Sequence, residues 1–298
     1  MIKINFLGTG SMVPTAKRNH PAILLTYKDE NILFDCGEGT QRQFRYAKLN
    51  PCKITRIFIS HWHGDHILGL PGLLQTIMQN EYQKTLLIYG PKGTKSKMKK
   101  ILSIFEKVNE LKIKIKELNE KDNVEAEDFI IKVKELNHGT PCLGYSFIEK
   151  DKLSINKEKL KKLNLKSSPE LKKLKQGKNI KVNNKTIKAK DLTELKKGKK
   201  ITFIFDTKYN EHLIDFAENS DLLISESTYL DEEEIATQYK HQTLKQSVKI
   251  AKESKSKKLI LFHLSQRYEK NFKEFSEYAK KQFKNSEIAK DLMEIKIK

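Results

Sequence analysis

The stretch Ile57-Phe58-Ile59-Ser60-His61-Trp62-His63-Gly64-Asp65-His66 sets three imidazoles and a carboxylate within six residues, directly behind an apolar run. The run reads as a buried strand and the polar cluster as the tight turn after it. Imidazole nitrogen and carboxylate oxygen are the donors that zinc and similar divalent ions take in catalytic sites with an open position for water. Four such donors on one turn exceed what a single catalytic zinc needs, which points to two ions. Burying so many polar rings without metal would leave donors and acceptors to be satisfied one by one.

The same arrangement recurs along the chain. His138 follows Phe129-Ile130-Ile131-Lys132-Val133, Asp206 follows Ile201-Thr202-Phe203-Ile204-Phe205, and His263 follows Leu259-Ile260-Leu261-Phe262. In layered α/β proteins, sites collect where strand ends open into loops. Seven candidate ligands are therefore expected to converge: His61, His63, Asp65, His66, His138, Asp206 and His263. His212 reads instead as a solvated helix residue and His20 as a loop residue, because a lone histidine is more often structural.

Strands are expected near 2–7, 22–26, 31–35, 55–59, 85–89, 111–116, 128–136, 201–205, 222–225, 258–262 and 293–297, with helices near 39–47, 67–80, 94–107, 211–219, 241–254 and 270–284. This alternation excludes an all-helical or all-β chain and favours one large α/β domain over residues 1–298. No run approaches the roughly 18 apolar residues of a membrane span. The opening Ile2-Lys3-Ile4-Asn5-Phe6 reads as a strand rather than a signal peptide, and Cys36, Cys52 and Cys142 do not form a disulfide framework. A cytoplasmic location without membrane contact is expected.

The formal net charge is +20, and residues 150–200 supply about fourteen of it: nineteen lysines stand against Asp151, Glu158, Glu170, Asp191 and Glu194. Lys159-Leu160-Lys161-Lys162-Leu163 and Leu171-Lys172-Lys173-Leu174-Lys175 promise a thin apolar stripe rather than an independent core. A flexible, projecting arm that meets a polyanion is expected, since each neutralised phosphate releases counterion. A merely solvated lysine face is the alternative.

Several segments together resemble ribonuclease Z, the short-form tRNA 3′-processing endonuclease family of the metallo-β-lactamase superfamily. They are Phe6-Leu7-Gly8-Thr9-Gly10, Asp35-Cys36-Gly37-Glu38-Gly39-Thr40-Gln41, the histidine cluster with Gly69-Leu70-Pro71-Gly72, His138-Gly139, Asp206-Thr207, Glu226-Ser227-Thr228, His241-Gln242-Thr243 and His263-Leu264-Ser265-Gln266-Arg267-Tyr268. They span almost the whole chain. The cluster alone indicates only the superfamily; the Gly-Thr-Gly, Glu-Gly-Thr-Gln and His241-x-Thr elements narrow it.

The resemblance implies a four-layer αββα sandwich with an inserted arm, residues 150–200, serving as a tRNA-binding exosite through lysines such as Lys172, Lys173 and Lys175. Many relatives carry Gly-Pro near the arm's tip, where this chain reads Ser167-Ser168-Pro169-Glu170. The resemblance also implies two Zn2+ per subunit, with Mn2+ or Mg2+ as alternatives. His61, His63 and His138 would hold one, Asp65, His66 and His263 the other, and Asp206 would bridge. Hydroxide generated there would cut precursor tRNA, leaving a 3′-hydroxyl on the tRNA and a 5′-phosphate on the trailer. Asp65 would accept the water's proton, and His241, oriented by Glu226, would donate one to the leaving oxygen. Arg267 would contact phosphate or a terminal nucleotide. A homodimer is implied as well. The competing reading is a small-molecule phosphodiesterase or other hydrolase of the superfamily.

Overall fold

The computed structural model describes residues 1–105, 111–162, 170–182 and 185–298. The strands are β1 Ile2–Gly8, β2 Ala22–Tyr27, β3 Glu30–Phe34, β4 Arg56–Phe58, β5 Leu86–Gly90, β6 Ile113–Glu117, β7 Asn123–Glu125, β8 Phe129–Leu136, β9 Cys142–Glu149, β10 Lys152–Ile155, β11 Ile180–Val182, β12 Lys185–Ile187, β13 Thr193–Lys196, β14 Lys200–Ile204, β15 Leu222–Glu226, β16 Leu259–Phe262, β17 Ser286–Ile288 and β18 Glu294–Ile297. Two seven-stranded sheets result, ordered β18-β1-β2-β3-β4-β5-β6 and β17-β16-β15-β14-β9-β8-β7. The first is antiparallel from β18 to β3 and parallel from β3 to β6. The second is parallel from β14 to β17.

Side-chain alternation explains the layering. In β3 and β4, Phe34 and Phe58 stack at 5.5 Å on the face toward the second sheet, where Phe34 meets Phe203 at 4.1 Å and Phe58 meets Tyr145 at 5.0 Å. Phe6 and Phe262, 6.4 Å apart, extend the same layer. The alternate residues Leu33, Ile57 and Ile59 join the outer cluster with Leu70, Leu73, Leu74 and Ile77 of helix Leu70–Gln79 and Met98 of helix Thr94–Leu102. Helices His212–Ala217, Leu244–Glu253 and Phe272–Gln282 pack on β14 to β17. This is the expected helix-sheet-sheet-helix sandwich. Strands covered on both faces are apolar throughout, as the wholly buried Leu-Ile-Leu-Phe of β16 illustrates.

Several boundaries differ from expectation. β9 was not anticipated: Gly144 and Ser146 interrupt its apolar run, and Pro141 precedes it. Gly144 is there for space, because a Cβ would meet Phe203 O at 3.1 Å and Phe216 Cε1 at 3.2 Å. The helix expected at 241–254 begins only at Leu244, where Thr243 caps it in a reciprocal capping box with Gln246. The helix expected at 94–107 ends at Leu102, and residues 106–110 lie outside the described part.

The chain divides into two compact units; the second comprises Glu125–Ile130 and Ile148–Lys199. Within it β10 pairs with β13 and β11 with β12, alongside short helices Lys157–Lys162, Leu171–Lys175 and Ala189–Leu192. Contrary to the expected absence of a core, Leu171, Leu174, Ile180, Ala189 and Leu192 form a buried apolar cluster, with Ile155, Leu160 and Ile187 against it. Several short elements each contribute one or two residues, so no single segment shows a strong stripe. Ser167, Ser168 and Pro169 lie outside the described residues.

Candidate metal centre

Five strands deliver the site from their C-terminal ends. His61 to His66 follow β4, His138 follows β8, Asp206 follows β14, Glu226 closes β15 and His263 follows β16. Two glycines allow the loops to close. A Cβ on Gly37 would lie 2.3 Å from Asp65 O, and one on Gly69 2.0 Å from Gly37 O, so the loop after β3 presses directly on the cluster's turn. His263 and Asp35 adopt left-handed backbone, φ 58° and 55°, uncommon outside glycine and tolerated where surrounding contacts fix it.

All seven expected ligands come together. His61, His63 and His138 form one group whose donor atoms lie within 4.8 Å of one another, and Asp65, His66, Asp206 and His263 form a second. Asp206 faces both groups. Its Oδ2 lies 3.8 Å from His61 Nε2, 3.9 Å from His138 Nε2 and 3.5 Å from His66 Nε2, and its Oδ1 lies 3.4 Å from His263 Nε2.

Outer partners fix which nitrogen points inward. His66 Nδ1 donates to Asp35 Oδ2 at 2.7 Å, His61 Nδ1 meets Ser60 Oγ at 3.0 Å, His138 Nδ1 donates to Lys240 O at 3.0 Å, and His263 Nδ1 meets Thr228 Oγ1 at 2.9 Å. These bonds assign the ring protons to Nδ1 and turn bare Nε2 lone pairs inward. His66 Nε2 and His263 Nε2 then face one another at 3.3 Å, and His61 and His138 Nε2 face His63 Nδ1 at 3.0 and 3.1 Å. Lone pairs this close call for a cation between them. Asp65 Oδ1 and Asp206 Oδ1 are also buried and accept no hydrogen bond among the described residues. The donor set therefore fits divalent metal.

Asp35, Ser60 and Thr228 are the supporting residues that sequence reasoning left without a role. Asp35 is fully buried and also accepts from Ser60 N and Oγ, each at 2.7 Å. Burial raises its carboxyl pKa even though His66 and Ser60 pull it down. Its signal was a carboxylate directly after the buried Ile32-Leu33-Phe34 end of β3, where an unpaired charge is too costly to be incidental.

His241 is not on a helix but in the link before Thr243, and its ring reaches the metal cluster. Its Nδ1 donates to the buried Glu226 Oε1 at 3.1 Å, and the same oxygen accepts from Thr207 N at 2.9 Å. Burial pushes the His241 imidazole down, but Glu226 outweighs it and lifts the ring to about 9. Thr228 Oγ1 donates to Glu226 Oε2 at 2.7 Å, so one hydroxyl joins this pair to His263.

Arg267 is exposed, with its guanidinium 5.3 Å from the Tyr229 ring and 5.9 Å from that of Tyr268. It lines a cleft of about 580 Å³ with His63, Asp65, His138, Asp206, His241 and His263. Lys172, Lys173 and Lys175 are exposed on their short helix in the second unit. His212 is exposed at its helix start, and His20 is a buried loop residue whose Nε2 meets Met12 O at 3.1 Å. No described helix is long and apolar enough to cross a membrane.

Similarity to known proteins extends over the whole chain. It is 42% identical over 296 residues to ribonuclease Z of Nanoarchaeum equitans (strain Kin4-M), covering 99% of this chain and 93% of that one. It is 40% identical to ribonuclease Z of Bacillus cereus (strain ZK / E33L), covering 96% of each. The chain belongs to the ribonuclease Z family. The family model described as anti-Pycsar protein Apyc1 also matches residues 2–285, so the chain falls within that family too. Among solved structures, human tRNase Z, short form, superposes with a TM-score of 0.69 at 27% identity over 99% of each chain. The metallo-β-lactamase fold protein YhfI from Bacillus subtilis gives a TM-score of 0.72 at 20% identity, over 99% of this chain and 98% of that one, a likeness of fold. As a ribonuclease Z family member of metallo-β-lactamase fold, the chain is a metal-dependent endoribonuclease.

Proposed function

We propose that the chain removes the 3′ trailer from precursor tRNA, leaving a 3′-hydroxyl on the tRNA and a 5′-phosphate on the trailer. The observation that carries this reading is the paired ligand constellation, with Asp206 facing both halves and His241 and Glu226 beside it. The proposed complement is two Zn2+ ions, with Mn2+ or Mg2+ as substitutes. His61, His63 and His138 would hold one, Asp65, His66 and His263 the other, and Asp206 both. When bound, such ions neutralise charge on the phosphate oxygens and lower the pKa of water toward roughly 7.

The chain's own groups do the rest. Asp65, whose Oδ1 accepts no hydrogen bond among the described residues, takes the proton of the attacking water. His241 donates a proton to the departing 3′ oxygen, held for that task by Glu226. Arg267, steadied by two tyrosine rings at the cleft, contacts a phosphate near the cut. The lysines of residues 150–200, Lys172, Lys173 and Lys175 among them, bind the tRNA backbone as an arm-like exosite. The enzyme would act in the cytoplasm as a homodimer.

The test is incubation of zinc-loaded protein with a 3′-extended precursor tRNA beside an Asp65→Ala control, with both product ends mapped. A discrete cut beyond the acceptor stem that requires Asp65 is expected. Hydrolysis of a small phosphodiester with the tRNA left intact would instead favour a small-molecule phosphodiesterase of the same superfamily.

A further inference from the structure

We infer that a second, basic cavity beside the catalytic cleft takes the backbone of single-stranded RNA, the 3′ trailer of the substrate; this rests on the function proposed above. The cavity measures about 550 Å³, and its lining includes Lys17, Arg18, Phe272, Lys273, Lys280 and Lys290. It shares two chain segments with the cleft. Ser11 to Val13 line the cleft while Lys17 and Arg18 line the cavity; Ser265 to Arg267 line the cleft while Glu269 and Phe272 line the cavity. Thr15 Oγ1 donates to Glu269 Oε1 at 3.1 Å, tying the two segments together. A strand leaving the cut would meet this cavity next.

Charge there is unbalanced in favour of an anion. The lining sets Lys17, Arg18, Lys273, Lys280 and Lys290 against Glu269, Glu287 and Asp291, and Glu287 is already paired with Lys258 at 3.0 Å. Among the described residues Lys17, Lys280 and Lys290 make no ion pair, and Lys273 only faces Glu277 at 3.9 Å. Lys273 and Lys280 stand seven residues apart on helix Phe272–Gln282, hence on one face and about 10 Å apart along it. Phe272 adds a half-buried ring between cations and core. It is held 4.3 Å from the guanidinium of Arg18, which is itself buried and donates to Thr9 Oγ1 and Ala289 O at 2.7 Å. Lysines beside an aromatic face are what a single strand uses without regard to sequence.

The experiment compares the metal-loaded parent with the variant Lys273→Ala/Lys280→Ala/Lys290→Ala on two precursors, with trailers of about two and about twenty nucleotides. For the long trailer, Kd should weaken about fivefold to tenfold, and the slope of log Kd against log salt should shrink by roughly 2, at about 0.7 per neutralised phosphate. Cleavage of the short-trailer precursor should stay at the parental rate, which also reports an intact fold. Equal loss on both precursors, or no loss on the long one, overturns the trailer assignment. A parent that cuts neither precursor removes the proposed function itself, and the trailer assignment with it.

Discussion

Residues 61–66, 138, 206, 226 and 263 and residues 148–199 are built on opposite principles. The first set hangs from strand ends, its loops clamped by Gly37 and Gly69, with His61, His66, His138 and His263 each held by a named outer partner. The second rests on a cluster of five buried apolar residues among many lysines. Rigid strand ends suit chemistry that tolerates displacements of well under an ångström. Phosphate contact asks only for positive charge within reach, and a small core suffices to present it. Substitutions in the two regions should therefore fail differently: in rate and metal content for the first, in affinity and salt dependence for the second.

The largest effect is expected at Asp206. Burial pushes its carboxyl up, yet the His263 and His66 imidazoles hold it well below the usual carboxylate range. Asp206→Ala removes a carboxylate that faces both ligand groups and leaves the His61, His63 and His138 group without an anionic ligand. Cleavage should fall by about 10³-fold or more, the several kcal/mol that bound metal supplies. Metal content measured by mass spectrometry should drop with it. A variant that keeps full metal and loses only rate would assign Asp206 to proton transfer instead.

The outer partners come next. Thr228→Val deletes the hydroxyl that joins His263 to Glu226, and Asp35→Asn removes the charge that His66 donates to. Each should weaken metal affinity about 10-fold to 100-fold. Thr228→Ser keeps the hydroxyl and should stay near the parent in a chelator competition. If Val keeps the parental affinity while Ser loses it, the methyl packing and not the hydrogen bond is what matters at this position.

Legibility in the sequence followed the same division. The ligands were readable because four of them crowd one turn after β4 and the others follow the apolar or alternating runs of β8, β14 and β16. His241 was harder to place: the acidic residues before it and the periodic run after it suggested a helix start, whereas the capping box at Thr243 holds that start three residues on. β9 escaped because Gly144, where a Cβ would crowd Phe203 O and the Phe216 ring, weakens a strand signal while serving the packing. Asp35 and Thr228 had no periodicity to reveal them; their roles depend on rings contributed by β4 and β16, which only folding brings alongside. In residues 150–200 the composition was plain but the small core was not, since its members come singly from several short elements.

The smallest effect, and the sharpest test of the contrast, belongs to the lysines. Lys172, Lys173 and Lys175 lie exposed on one five-residue helix, and their helix is anchored by the buried Leu171 and Leu174. Neutralising all three to alanine leaves that anchor in place, so the second unit should stay folded. On the proposed exosite, where each of the three lysines meets a phosphate, Kd for precursor tRNA should weaken about threefold to tenfold and the salt slope should fall by about 2. Turnover of a small phosphodiester, which needs only the strand-end site, should not change. If turnover of the small substrate fell as well, the two regions would be coupled, and the division of labour between rigid chemistry and charged capture would have to be abandoned.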